Sequence, residues 1–344
     1  MSTKKIQILK ILLSLLDEIL RLQGEILEMI RASKKNKYTG ANTGVPSGNS
    51  VIRNFITWNV GWECMSIPPN KDCLKYNSAA CTQGKCRANL VSVFSKLKYM
   101  PDFIGLQEGD RTLADQIIQK LHATFEGHHW DKICYESKSP VTAILIYNRS
   151  VFSLVYRYEG KCDNDNGRPF IGGLFNDNEG NQINVVSLHG PHVHKTAYTQ
   201  THHNKYSILD QIVRSWHSVR TRHNNLTETP SSDISTIRKQ FSKISSVIMG
   251  DFNAEFTEKN LPHPWQNLHV VNTDISTCCR WPGQQKTRNL KYDNMLYNEG
   301  KLMNYGTFKN KIINGTKLRG YNFPELRDFA SDHYPIAGQI IYTS

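Results

Sequence analysis

From Val51 onward the chain is a succession of short apolar runs, many of which end on a residue that an apolar strand has no use for. The runs are "NFITWNV", "DFIGLQ", "TAILIYN", "FSLVYRY", "RPFIGGLF", "INVVSLH", "SSVIMGD", "YDNMLYN" and "IAGQIIY". Rich in Val, Ile and aromatic residues, they read as buried β-strands. Helical patterning is confined to residues 88–98, 112–121 and 203–216. Strands outnumber helices and several neighbours read as hairpins, which predicts a layered α/β body with mixed sheets rather than a doubly wound nucleotide fold. Neither a G-x-G-x-x-G pattern nor a P-loop is present, and no internal repeat is found.

The endings carry the chemistry. They are Asn59 in "TWN", Glu108 in "LQE", His189 in "SLH", Asp251 and Asn253 in "GDFN", Asp293 in "YDNML", and Asp332 and His333 in "SDHYPI". Any one of these alone is an ordinary loop residue. Strand ends of a layered α/β body converge on one rim, so the set is expected to meet there. Carboxylates without thiolate partners suit a hard cation, Mg2+ or Mn2+, held together with waters and phosphate oxygens. Amides then donate to the remaining oxygens, and histidines supply protons or hydrogen bonds. Phosphate-ester hydrolysis is what such equipment suits.

Charge points the same way. In 344 residues Lys and Arg outnumber Asp and Glu by 42 to 30, a net charge of +12 that favours polyanionic partners such as nucleic acid, anionic lipid head groups or a phosphorylated substrate. The segment "CCRWPGQQKTRNLK" sets Arg280, Lys286, Arg288 and Lys291 around Trp281 just before Asp293, a combination fit for a phosphate backbone and a stacked base. His192, His194, His202 and His203 crowd another loop without carboxylate or thiol spacing and read as solvated. The stretch "RTRHNNLTETPSSDISTIRKQ" reads as one long polar loop. Of eight cysteines, Cys64, Cys73, Cys81 and Cys86 cluster without a zinc pattern, and disulfides, an irregular metal site and reduced thiols all remain open.

Residues 1–35 stand apart. Leu12, Ile19 and Ile26 form one heptad row and Ile8, Leu15, Leu22 and Met29 the other, which predicts an amphipathic or coiled-coil helix that makes a homo-oligomer, with membrane contact as the rival use. Lys10, Asp17 and Glu18 break the apolar run and no small-residue cleavage site follows, so a cleaved secretory signal is not expected and an intracellular protein is favoured. Residues 36–50 have linker composition, and 51–344 form the expected catalytic body.

The motifs "TWNVG", "LQEGD", "VVSLHGPH", "VIMGDFNAEF", "YDNMLY" and "SDHYPI", in this order over residues 54–342, resemble those of the endonuclease/exonuclease/phosphatase superfamily, the deoxyribonuclease I-like group. The resemblance implies a four-layer α/β sandwich with two mixed β-sheets flanked by helices, and a divalent-metal phosphodiesterase or phosphatase. Carried over, Glu108 is the direct metal ligand with Asn59 close to it, and Asp332 reaches the metal through water. Asp251 orients or activates the attacking water, Asn253 holds the scissile phosphate, and His333, supported by Asp293, contacts phosphate and nucleophile. His189 is the candidate general acid for the leaving oxygen, and Arg168 in "NGRPFIGG" resembles a phosphate-contacting arginine. Whether Asp251 or His333 is the base, and whether one or two metals act, stays open. A nuclease acting on DNA or RNA is the expectation. Its alternatives are a phosphatase or phosphodiesterase on inositol phosphates, phospholipid head groups or protein–nucleic acid adducts, and a non-catalytic scaffold.

Overall fold

The computed structural model describes residues 50–61, 85–97, 99–135, 142–162, 168–191, 208–224, 233–259, 261, 265, 267–272, 276–278, 290–307, 312–313, 316–317, 331 and 333–343. All of them lie in one compact unit, residues 49–344. The expected N-terminal helix and linker, the expected four-histidine loop, Asp332 and the basic segment from Arg280 to Arg288 fall outside the described residues.

Two six-stranded sheets form the body. The first is built from β1 (Ser50–Asn59), β2 (Phe103–Gln107), β3 (Trp130–Cys134) and β4 (Ala143–Asn148), with later strands added at one side. The second takes β5 (Phe152–Lys161), β6 (Pro169–Asp177), β7 (Gln182–His189), β8 (Ser245–Asp251), β9 (His269–Val270) and β10 (Asp293–Tyr297). The chain then returns through β11 (Lys301–Thr307), passes the small β12–β13 pair (Ile312–Ile313 and Thr316–Lys317), and ends the first sheet with β14 (Ile336–Thr343). The orders are β11-β14-β1-β2-β4-β3 and β5-β6-β7-β8-β10-β9. Both sheets are mixed, because β1 runs parallel to β2 and β7 parallel to β8 while their other neighbours are antiparallel.

The sheets pack face to face over one apolar layer in which Phe103 meets Phe152 and Phe175 across the gap, with ring centroids 4.6 and 5.1 Å apart. Helices α1 (Lys85–Phe94) and α2 (Arg111–Thr124) cover the first sheet, and α3 (Ile208–His223) and α4 (Ile234–Phe241) cover the second, giving four layers. Helix α2 starts where Asp110 accepts from the Leu113 N–H at 2.7 Å, and it buries Leu113, Ala114, Ile117, Ile118 and Leu121 along one face. Arg238 of α4 grips Asp210 of α3 with two bonds of 2.7 Å, and Trp265 Nε1 donates to the same carboxylate.

Several local readings need correction. The polar stretch 220–240 is not one loop, for α3 runs into it as far as His223 and α4 occupies its end. Asp233 caps α4 by accepting from the N–H groups of Ser235 and Thr236, and Ile237 and Phe241, one turn apart, supply its buried stripe. Strands β3, β9 and β11 were not expected: β3 and β11 are edge strands whose Asp, Lys and Asn content suits a half-solvated position, and β9 has two residues. Cys134 and Cys162 are buried, and Cys278 is disulfide-bonded.

Candidate active site

Strand register builds the site. In the second sheet His189 pairs with Asp251, and Asp251 pairs with Asp293, so three strands present these residues side by side in one row. In the first sheet Asn59 pairs with Gln107, which leaves Glu108 one residue beyond β2. Glu108 has φ +61° and Asn253 φ +50°, left-handed conformations that an L-residue adopts only when its surroundings hold it there.

The side chains then meet across the gap between the sheets. Asn59 Nδ2 donates to Asp251 Oδ2 at 2.9 Å and to Glu108 Oε1 at 3.2 Å, so one buried amide bridges two carboxylates. Asn59 Oδ1 is held by the Gly61 N–H at 3.1 Å. Asp251 also receives the Asn253 backbone N–H at 2.8 Å and Asn253 Nδ2 at 3.2 Å, and the same amide donates to Gly190 O at 2.8 Å. His189 Nε2 lies 3.2 Å from Glu108 Oε1 and 3.9 Å from Asp251 Oδ2. Arg168 Nη1 contacts the same ring nitrogen and is 3.9 Å from Glu108 Oε1. An arginine only donates, so Nε2 either accepts from Arg168 or, when protonated, donates to Glu108.

His333 closes the far side. Its Nδ1 bonds Asp293 Oδ2 at 2.8 Å, while its Nε2 lies 3.8 Å from Asp251 Oδ2 and 3.3 Å from Cys278 Sγ. Burial pushes the Asp293 carboxyl up to about 6, and His333 opposes that rise. The loop carrying His333 is pinned to the end of β1: Trp58 Nε1 donates to His333 O at 3.2 Å, and Ser331 Oγ donates to Asn59 O at 2.7 Å while accepting from the His333 N–H at 3.1 Å.

Asn59, Glu108, Arg168, His189, Asp251, Asn253, Asp293 and His333 therefore stand together at one rim. Asp332, Arg280, Trp281, Lys286 and Arg288 lie outside the described residues. The pinning role of Trp58 and the contact of Cys278 were not foreseen. Trp58 reads as a core aromatic, and nothing in the spacing of Cys278 ties it to a histidine 55 positions away.

The donor set fits a hard divalent cation, since the carboxylates of Glu108, Asp251 and Asp293 converge with the Arg168 guanidinium as the one permanently charged cation among the residues just described. Donor atoms of Asp251, Asp293 and His333 lie within 4.8 Å of one another, close enough to share an ion. Glu108 adds a further carboxylate beside Asp251, the two joined through Asn59 Nδ2.

Two mixed six-stranded sheets, helices outside them and polar residues at the facing strand ends define an α/β sandwich of the endonuclease/exonuclease/phosphatase type, and the chain has that fold. An endonuclease/exonuclease/phosphatase family protein from Bacteroides thetaiotaomicron superimposes with a TM-score of 0.53 at 12% identity, over 86% of this chain and 100% of that one. A counterpart from Bacteroides vulgatus gives 0.50 at 13% identity over 86% and 100%. ANGEL2, a 2′,3′-cyclic phosphatase solved with adenosine-2′,3′-vanadate, gives 0.51 at 12% identity over 87% and 99%. No protein-family model matches the chain, and no curated protein matches it.

Proposed function

We propose that the protein is a divalent-metal-dependent phosphodiester hydrolase, most simply a nuclease acting on DNA or RNA. The observation that carries the reading is the Asn59 amide shared by Glu108 and Asp251, with the Asp293–His333 pair alongside. No apolar core needs three carboxylates and two histidines in one buried cluster, and burying them is costly unless they bind something. The net charge of +12 and the basic segment around Trp281 support a polyanionic substrate. That ANGEL2, which shares the fold, acts on a cyclic phosphate lends support to phosphoester chemistry here.

In this reading Glu108 would hold the cation, with Asn59 beside it and Asp332 as a further candidate ligand. The ion, when bound, neutralises charge on the phosphoryl oxygens. Asp251 fixes the attacking water by accepting its proton, and Asn59 and Asn253 hold that carboxylate still. Asn253 would also hold the scissile phosphate, giving up its bond to Gly190 O to do so. His333, oriented through Nδ1 by Asp293, presents Nε2 to the phosphoryl group, as the imidazole of a carboxylate–histidine pair does elsewhere. His189 delivers a proton to the leaving oxygen from Nε2, and Arg168 beside it holds a phosphate oxygen.

The test is a metal-dependent panel: supercoiled DNA, single-stranded DNA, RNA, a 5′-tyrosyl oligonucleotide, inositol phosphates and a lipid head-group ester. Hydrolysis of nucleic acid that chelation stops and added Mg2+ or Mn2+ restores is expected. Glu108→Gln and Asp251→Asn should keep the fold, seen by circular dichroism, yet fall below about a tenth of wild-type activity. Higher activity in either variant sinks the reading, and activity confined to the small esters selects the phosphatase alternative.

A further inference from the structure

One layer behind the site, between the two sheets, three polar side chains meet in an otherwise apolar core. Gln107, Thr57 and Ser187 are each fully buried. Gln107 Nε2 donates to Ser187 Oγ at 3.1 Å and to Thr57 Oγ1 at 3.2 Å, and Ser187 Oγ donates to Leu106 O at 3.4 Å. Thr57 and Gln107 belong to the first sheet and Ser187 to the second, so this amide is a hydrogen-bonded tie across the sandwich. The sheets come close here: a Cβ on Gly105 would meet Ser187 Oγ at 3.1 Å and Met249 Cε at 3.2 Å. Apolar side chains could fill the space without the cost of desolvating an amide, so stability alone does not account for the choice.

Each strand in the tie leads straight to a site residue. Asn59 stands two after Thr57 and His189 two after Ser187, which puts each on the same strand face as its tie residue. Glu108 follows Gln107 directly and turns the chain through its φ of +61°. Around that turn the Val60 N–H donates to Gln107 O at 2.9 Å and the Glu108 N–H to Thr142 O at 3.1 Å. We propose that Gln107 is a positioning residue: by binding β2 to β7 it sets the width of the gap at the rim, and with it the 3.2 Å approach of Glu108 to His189. The catalytic consequence rests on the hydrolase reading above, whereas the geometric one does not.

Two variants of the full chain test it. Gln107→Leu removes the amide bonded to Thr57 Oγ1 and Ser187 Oγ, leaving Ser187 only its bond to Leu106 O, and is expected to lower the melting temperature by roughly 5 °C. The triple Thr57→Val/Gln107→Leu/Ser187→Ala replaces every polar member by an apolar group of like shape, and should return to within about 2 °C of wild type. In both, kcat falls about 10- to 100-fold with KM within about twofold, because the misplaced groups act in the transition state. In both, the NMR signals of the His189 ring and the Asn59 side-chain amide shift from their wild-type positions. A triple variant with wild-type kcat and unmoved His189 and Asn59 signals would show that the tie only fills the core, and would overturn the proposal. If the wild-type protein hydrolyses nothing in the panel, the functional reading fails, and the NMR shifts still decide whether Gln107 positions the rim.

Discussion

Gly250 stands one residue before Asp251 and directly opposite Leu188 in the parallel β7–β8 pair. A Cβ placed on it would lie 1.8 Å from Leu188 O and 2.8 Å from Leu188 C, both backbone atoms that no rotamer change can remove. Gly250→Ala must therefore open the pair by about 1.2 Å to reach the 3.0 Å below which real Cβ atoms are essentially never found. Losing the last two ladder bonds costs about 1 kcal/mol each and the forced separation about 1–3 kcal/mol, so the total is roughly 3–5 kcal/mol. Gly180 is the control, with φ +85° and nothing within 4 Å of its would-be Cβ. There alanine meets only left-handed strain, about 1–2 kcal/mol. Urea unfolding followed by tryptophan fluorescence should show a midpoint roughly 1–2 M lower for Gly250→Ala and a clearly smaller drop for Gly180→Ala. Because Asp251 moves with its neighbour, hydrolysis by the Gly250 variant should fall by about 100-fold even where it is folded. Equal midpoints for the two variants would refute the claim that Gly250 is there for the approach of β7.

Three further outcomes are expected. Asp102, buried and bonded to the Asn54 N–H at 2.7 Å, has its carboxyl pushed up to about 6 by desolvation, against the pull of Arg53 and of that N–H. Its folded form binds a proton more tightly than the unfolded chain, so its contribution is full below the ordinary aspartate value of 3.8 and is lost as pH rises through about 6. The difference is up to about 3 kcal/mol, and Asp102→Asn should flatten the urea midpoint between pH 4 and 6, roughly that window. Replacing Arg280, Lys286 and Arg288 by Ala should weaken nucleic-acid binding and cut the salt slope by up to about 3, with hydrolysis of a small activated diester nearly unchanged; equal losses on both would mean that the segment supports the site itself. Light scattering should find the full chain oligomeric and residues 51–344 monomeric; a monomeric full chain without lipid would refute the oligomer reading of the N-terminal heptads, and binding to vesicles would favour membrane contact instead.

The sandwich was legible in the sequence because its central strands are almost wholly apolar. "AILIYN" and "FIGLQ" have one reading, and both prove fully buried. Edge elements were not legible for the same reason inverted: "KLMNYGT" and "WDKIC" keep one side toward solvent, so their apolar signal is halved. Helix α4 has its own sequence trace, since Asp233 as cap and Ile237 stand in the polar stretch and Phe241 follows one turn later, just past its end. At the site, strand-end position picked out the residues but not their geometry. The bridging of Glu108 and Asp251 by Asn59 depends on how the two sheets face one another, and the seat of Cys278 against His333 depends on a bridge to Leu290 that no local pattern announces.

The pairing of β1 with β14 has a consequence for how the chain is made. Trp58 and His333, joined by a hydrogen bond, are separated by 275 positions. At roughly 5–20 residues per second a ribosome takes about 14–55 s to travel that distance. Once β2 has emerged, β1 has it on one side and an open row of amides and carbonyls on the other, where β14 will lie. The nascent protein therefore carries a half-apolar strand with one open edge until β14 is made, a period in which a chaperone or a neighbouring nascent chain competes for the place that β14 finally takes.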